Sequence, residues 1–107
     1  MDKTVEEGKT MAIVSYLTII GCIIALVMNS EKKNYFSSFH IRQALGTILL
    51  FFILGYPIGY FNSWMISSAF YIFFFIIWVY GFLGAVQGKT YLVPVVGPFF
   101  QKTFKNL

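Results

Sequence analysis

The stretch WMISSAFYIFFFIIWVYGFLGAV, residues 64–86, contains no charged residue and no Pro, Asn or Gln. At ~1.5 Å of rise per residue, a helix of this length crosses a hydrocarbon core of ~30 Å with some tilt. A small soluble domain keeps a large share of its surface in water and could not cover such a helix on every face. The segment therefore reads as a membrane span, and the rest of the chain is read around it.

The 107 residues are 58% hydrophobic and only 11% charged, against roughly 25% charged in ordinary soluble domains. One integral membrane domain covering residues 1–107 is expected. The net charge of +4 would suggest nucleic acid in a soluble protein. Here the basic residues flank apolar runs, where they meet phospholipid headgroups and set topology, so no nucleic-acid role is read. Cys22 is the one cysteine, which rules out an intramolecular disulfide and fits a small packing residue.

Working back from the 64–86 span, residues 44–61 form a second span, with Pro57 flanked by Gly55 and Gly59 where the helix should kink or end. Only Asn62 and Ser63 separate the two, so the second and third spans are expected to be a tight antiparallel hairpin. Residues 11–28 read as a first span that is retained, since the acidic head and the MNSEKKN exit offer no signal-peptide cleavage pattern. Thr4 and Glu7 form a capping-box pattern that starts this helix near Val5. Ser15, Thr18, Cys22 and Ala25 line one stripe of it, a face suited to close helix packing. Residues 29–43 are a polar loop, with Ser37 or Ser38 capping the helix that enters the membrane near Ala44. In the tail, residues 87–107, the apolar part 91–100 is too short to span. Pro98 begins a short interfacial amphipathic helix there, with Phe99, Phe100 and Phe104 on one arc and Gln101, Lys102 and Lys105 on the other. The expected fold is thus all-α, with three transmembrane helices and an interfacial tail. Three spans put Lys3 and Lys9 on one side and Lys32, Lys33, Arg42, Lys89, Lys102 and Lys105 on the other. That 6 to 2 asymmetry predicts an outside N-terminus and a cytoplasmic C-terminus in a bacterial inner membrane.

Gly8-Lys9-Thr10 and Gly88-Lys89-Thr90 resemble the end of a phosphate-binding loop, but the required earlier glycine is Lys3 or Leu83 and no strand precedes either, which excludes a nucleotide site. No carboxylate pair, histidine cluster or nucleophile beside a base occurs in a span, so neither an enzyme nor a metal or other cofactor is expected. Gly55 and Gly59 fit either relief of the proline kink or helix packing. Gly81, Gly84, Ala85 and Gly88 make a small face expected to contact another helix. His40, Gln43 and Thr47 form a polar stripe, with Arg42 on a different face. This is either an interfacial entry turn or a recognition patch, His40, Arg42 and Gln43 reading a partner protein or a headgroup. Truncating that patch removes little apolar area, so little stability should be lost with it.

FHIRQAL, residues 39–45, and GKTYLVPVVGPFFQK, residues 88–102, resemble the small bacterial membrane proteins related to the chloroplast Tic-twenty protein-import component, with similarity over residues 11–102. The plastid members have four spans and are associated with protein translocation across the inner envelope. Because 91–100 is too short for a fourth span, the resemblance implies a small non-enzymatic subunit or accessory of a protein-transport or assembly machine rather than a self-sufficient pore. Its partners would be other integral membrane proteins. The two rival readings are a homo-oligomeric small-solute channel and a lipid-interacting protein. A channel needs a polar stripe, for which Ser15, Thr18, Ser67, Ser68 and Tyr71, with His40, Gln43 and Thr47, are the candidates.

Overall fold

The computed structural model describes residues 3–105; Met1 and Asp2 of the head and Asn106 and Leu107 of the tail lie outside the described residues. Over that range the chain forms five helices in the order α1 (Lys3–Leu17), α2 (Ile19–Lys32), α3 (Tyr35–Gly59), α4 (Trp64–Gln87) and α5 (Gly97–Thr103).

The expectation of three spans is overturned: among the described residues two helices, α3 and α4, are long and apolar enough to cross a membrane. What reads as a first span, residues 11–28, is two shorter helices broken at Thr18. That residue is extended (φ −154°, ψ 172°), and its side chain accepts a hydrogen bond from Gly21 N–H at 2.9 Å. It therefore caps a new helix instead of continuing the old one. Gly21 permits the reversal, because a Cβ there would collide with the Val14 carbonyl. At ~1.5 Å per residue the arms, of 15 and 14 residues, are about 21–23 Å long, too short to cross.

The two arms fold back on each other. Asn34 Nδ2, just after α2, donates to the Thr4 carbonyl at 2.9 Å, and Ser37 Oγ donates to the Gly8 carbonyl at 2.8 Å, so the start of α1 lies beside the end of α2. The tip stops at the middle of the longer pair: Leu17, Thr18 and Ile19 line one recess with Thr47, Ile48, Phe51 and Phe52 of α3 and with Tyr71, Phe74, Phe75 and Trp78 of α4. The head accordingly sits with the α2–α3 connection and not at the opposite end, which removes the basis for a head on the other side from that connection.

Three smaller expectations change as well. Helix α1 is already formed at Lys3, ahead of the expected start near Val5, so Thr4 lies within it. The expected loop 29–43 shrinks to Lys33 and Asn34, because Asn34, not Ser37 or Ser38, caps α3 by accepting from Ser37 N–H at 3.0 Å. Helix α3 continues past Pro57 to Gly59, then turns through residues 60–63 into α4, which Ser63 caps. Phe100 of α5 faces inward: it is buried against α3, where Gly46 has no side chain to obstruct its ring.

The interior is narrow. Ala12, Tyr16, Cys22, Phe36, Ala44 and Ala85 form one buried cluster where the hairpin meets α3 and α4, and Phe74, Ile77, Val93 and Phe100 form a second. In the most apolar windows of α3 and α4 only 28% of residues are buried. A core helix of a soluble protein would be mostly covered, whereas here Phe52, Ile53, Ile72, Phe75 and Ile76 point outward.

Candidate functional site

Two turns of α3 carry His40 and Gln43 three residues apart, hence on one face. That face meets Tyr16 of α1 and the segment 89–93 that follows α4. The Tyr16 hydroxyl and His40 Nδ1 are 2.8 Å apart, and His40 Nε2 is 2.8 Å from the Lys89 carbonyl. A carbonyl can only accept, so Nε2 carries the proton and Nδ1 of the neutral ring accepts from Tyr16. The Tyr16 oxygen in turn accepts from Gln43 Nε2 at 3.0 Å. The second amide hydrogen of Gln43 reaches the Tyr91 carbonyl at 3.1 Å, and its oxygen accepts from Val93 N–H at 2.9 Å. The network closes with one consistent set of donors and acceptors and fixes both the histidine tautomer and the glutamine amide orientation.

The expected patch of His40, Arg42 and Gln43 is therefore not one surface. His40 and Gln43 are fully buried. Arg42 points elsewhere and is half-buried: Nη1 donates to Gln101 Oε1 at 3.2 Å and Nη2 to the Lys105 carbonyl at 2.8 Å. Gln101 Nε2 completes the tie by donating to the Phe39 carbonyl at 2.8 Å. Residues 39–45 and 88–102, far apart in sequence, are two halves of one interlocked unit. Thr47, the third member of the polar stripe, is buried with its hydroxyl unpartnered beside the apolar recess, whose volume is about 360 Å³.

The small face of α4 packs against this unit from within the same chain. A Cβ on Gly81 would stand 2.8 Å from the Tyr16 ring, and one on Gly84 would stand 3.3 Å from the Lys89 oxygen and 3.4 Å from His40 Cε1. Ala85 is fully buried in the cluster around Tyr16. Gly88 ends α4 in the left-handed region (φ 73°), which glycine adopts without strain and which starts the return of the chain toward His40. Gly55 faces Phe70 of α4 at ordinary contact distance, while a Cβ on Gly59 would meet open space.

Sequence reasoning missed Tyr16, Asn29, Asn34, Trp78 and Gln101. Asn29 Nδ2 donates to Ser38 Oγ at 2.9 Å while its oxygen accepts from Asn34 N–H at 3.0 Å, riveting α2 to α3. The Trp78 indole donates to the Tyr16 carbonyl at 2.7 Å, satisfying a carbonyl that the helix break leaves without a backbone partner. The usable signal was that a tyrosine hydroxyl and an indole N–H within apolar runs each need a partner.

Around this lock the charges are segregated. All eight Lys and Arg residues lie at the end of the molecule where α1 and α3 begin and α2 and α4 finish, together with α5 and its flanks. The opposite end, Tyr60 to Trp64, has none. Scans against protein-family models, curated proteins and solved structures return no match to this chain.

Proposed function

We propose that the chain is a polytopic protein of the bacterial cytoplasmic membrane that serves as a non-catalytic accessory or structural subunit of a protein-translocation or assembly complex. In this reading α3 and α4 span, the α1–α2 hairpin enters to about half depth, and both termini face the cytoplasm. Eight basic residues at one end against none at the other support that orientation through the positive-inside bias. The outward apolar side chains of α2, α3 and α4 supply a surface for lipid and for partner helices.

The observation that carries the proposal is the Tyr16–His40–Gln43 network. The one histidine, with both ring nitrogens engaged inside the chain, locks the hairpin and the 89–93 return to α3 instead of presenting an acid or base to a substrate. Two of the hydroxyls proposed for a pore are spent likewise: Ser15 donates to the Ala12 carbonyl, and Thr18 caps α2. The resemblance of residues 39–45 and 88–102 to translocation-associated proteins agrees with this role.

The test is affinity purification of the chain at native expression level in mild detergent, with chemical cross-linking and mass spectrometry. A stoichiometric integral membrane partner is expected. A homo-oligomer without a partner that passes small solutes in proteoliposomes would replace this reading with the channel.

A further inference from the structure

We propose that the cleft between the end of α2, the start of α3 and the C-terminal tail holds the phosphate of one anionic phospholipid. The proposal rests on the membrane placement above but not on the accessory role. The cleft has a volume of about 400 Å³ and is lined by Leu26, Asn29, Ser30, Lys33, Tyr35, Ser38, Arg42 and Lys105. Three cations therefore converge with no carboxylate among the lining residues.

The fold fixes the backbone of each of the three at the cleft. Lys33 closes α2 in the left-handed region (φ 48°), with its N–H on the Asn29 carbonyl. Arg42 is on the rigid second turn of α3. Among the described residues its guanidinium bonds to a neutral amide and a neutral carbonyl, and Nε is buried without a partner. Lys105 is anchored through its own carbonyl to Arg42. A half-buried guanidinium whose hydrogen-bond partners carry no charge is incompletely compensated, and a phosphate supplies the missing charge with charge-assisted hydrogen bonds.

The same cleft continues into apolar surface, which favours a lipid over a free phosphate. From Leu26, Ile23 and Ile19 follow on one face of α2 toward the hairpin tip. From Ser38 and Arg42, the positions 45, 49 and 52 follow on one face of α3, placing Leu45, Leu49 and Phe52 beneath the cation. Ile19, Ile23, Leu49 and Phe52 are all exposed. A phosphate at the cationic rim thus has an acyl-sized apolar track below it.

The experiment is native mass spectrometry of the full chain in dodecyl maltoside with dioleoyl phosphatidylglycerol or dioleoyl phosphatidylcholine. The wild type should retain one phosphatidylglycerol in clear preference to phosphatidylcholine. Lys33→Gln with Lys105→Gln should weaken that binding about thirtyfold, each lysine contributing about fivefold. Lys3→Gln with Lys102→Gln, equal in charge but outside the cleft, should leave it unchanged. If the first pair melts early in lipid-free detergent, Lys105→Gln alone carries the test with about a fivefold loss. Unchanged preference in the cleft variants overturns the site, and so does displacement of the lipid by millimolar inorganic phosphate, which would make the cleft a free-anion site. Partner recovery in the same preparations separates the two proposals: lipid without partner sinks the accessory role alone, and partner without lipid sinks the cleft alone.

Discussion

Replacing Gln43 with leucine keeps the side chain's approximate volume while removing every hydrogen bond it makes. Three are lost: to the Tyr16 hydroxyl, to the Tyr91 carbonyl and from Val93 N–H. Val93 is buried, so its orphaned N–H bears a full desolvation cost of about 1–3 kcal/mol. Tyr91 is partly exposed, so its carbonyl regains water and costs less. Tyr16 keeps His40 as acceptor. Polar bonds measured between helices in membranes average ~0.6 kcal/mol, so three contribute about 2 kcal/mol. The two routes converge on a loss of about 2–3 kcal/mol. Unfolding in mixed micelles of increasing sodium dodecyl sulfate fraction, followed by tryptophan fluorescence in a Trp64→Phe background, measures it; the remaining Trp78 bonds the Tyr16 carbonyl and so reports the lock. Tyr16→Phe and the double variant complete a cycle whose coupling should be favourable. If Gln43→Leu unfolds within about 0.5 kcal/mol of the wild type, as expected of an ordinary surface change, the network does not hold the hairpin. The sequence-based expectation that truncation here costs little would then stand.

Gly84→Leu should lose about 1–3 kcal/mol or fail to accumulate, because the added carbons displace His40 from Lys89. Phe75→Leu, on an outward face, should be tolerated; equal thermal stability of the two in detergent would contradict the packing. Thr47→Val removes an unpartnered buried hydroxyl and should raise stability by about 1 kcal/mol. A comparable loss in the same micelle titration would show that the hydroxyl has a partner in the recess.

The 64–86 segment was legible because an uninterrupted apolar run of that length has one solvent in which it can stand. The turn at Asn62 and Ser63 and the placement of Pro98 in the first turn of α5 were legible for local reasons. The break at Thr18 was not. A threonine in an apolar run fits a helix interior, where it bonds back to the preceding turn, as well as an N-cap; only the packing of α1 against α2 and α3 selects the second. Gly46 shows the same limit, since nothing local announces that a phenylalanine 54 positions later needs its bare Cα. At the candidate site, the periodicity correctly put His40, Gln43 and Thr47 on one face. Whether that face looked to headgroups or inward depended on Tyr16 and the return of residues 89–93, which are long-range facts. The basic asymmetry was visible too, but counting three spans divided it 6 to 2, whereas the folded-back hairpin gathers all eight at one end.

The central claim is that the N-terminal arms re-enter instead of crossing. Single cysteines at Lys3, Ser63 and Lys105, introduced beside the buried Cys22, can be tested with a membrane-impermeant maleimide on right-side-out and inverted vesicles. The account predicts that Lys3→Cys and Lys105→Cys are labelled from the same, cytoplasmic side and Ser63→Cys from the other. Labelling of Lys3→Cys on the side of Ser63→Cys would mean that residues 11–28 cross the membrane, and the half-depth hairpin with its polar lock would be wrong.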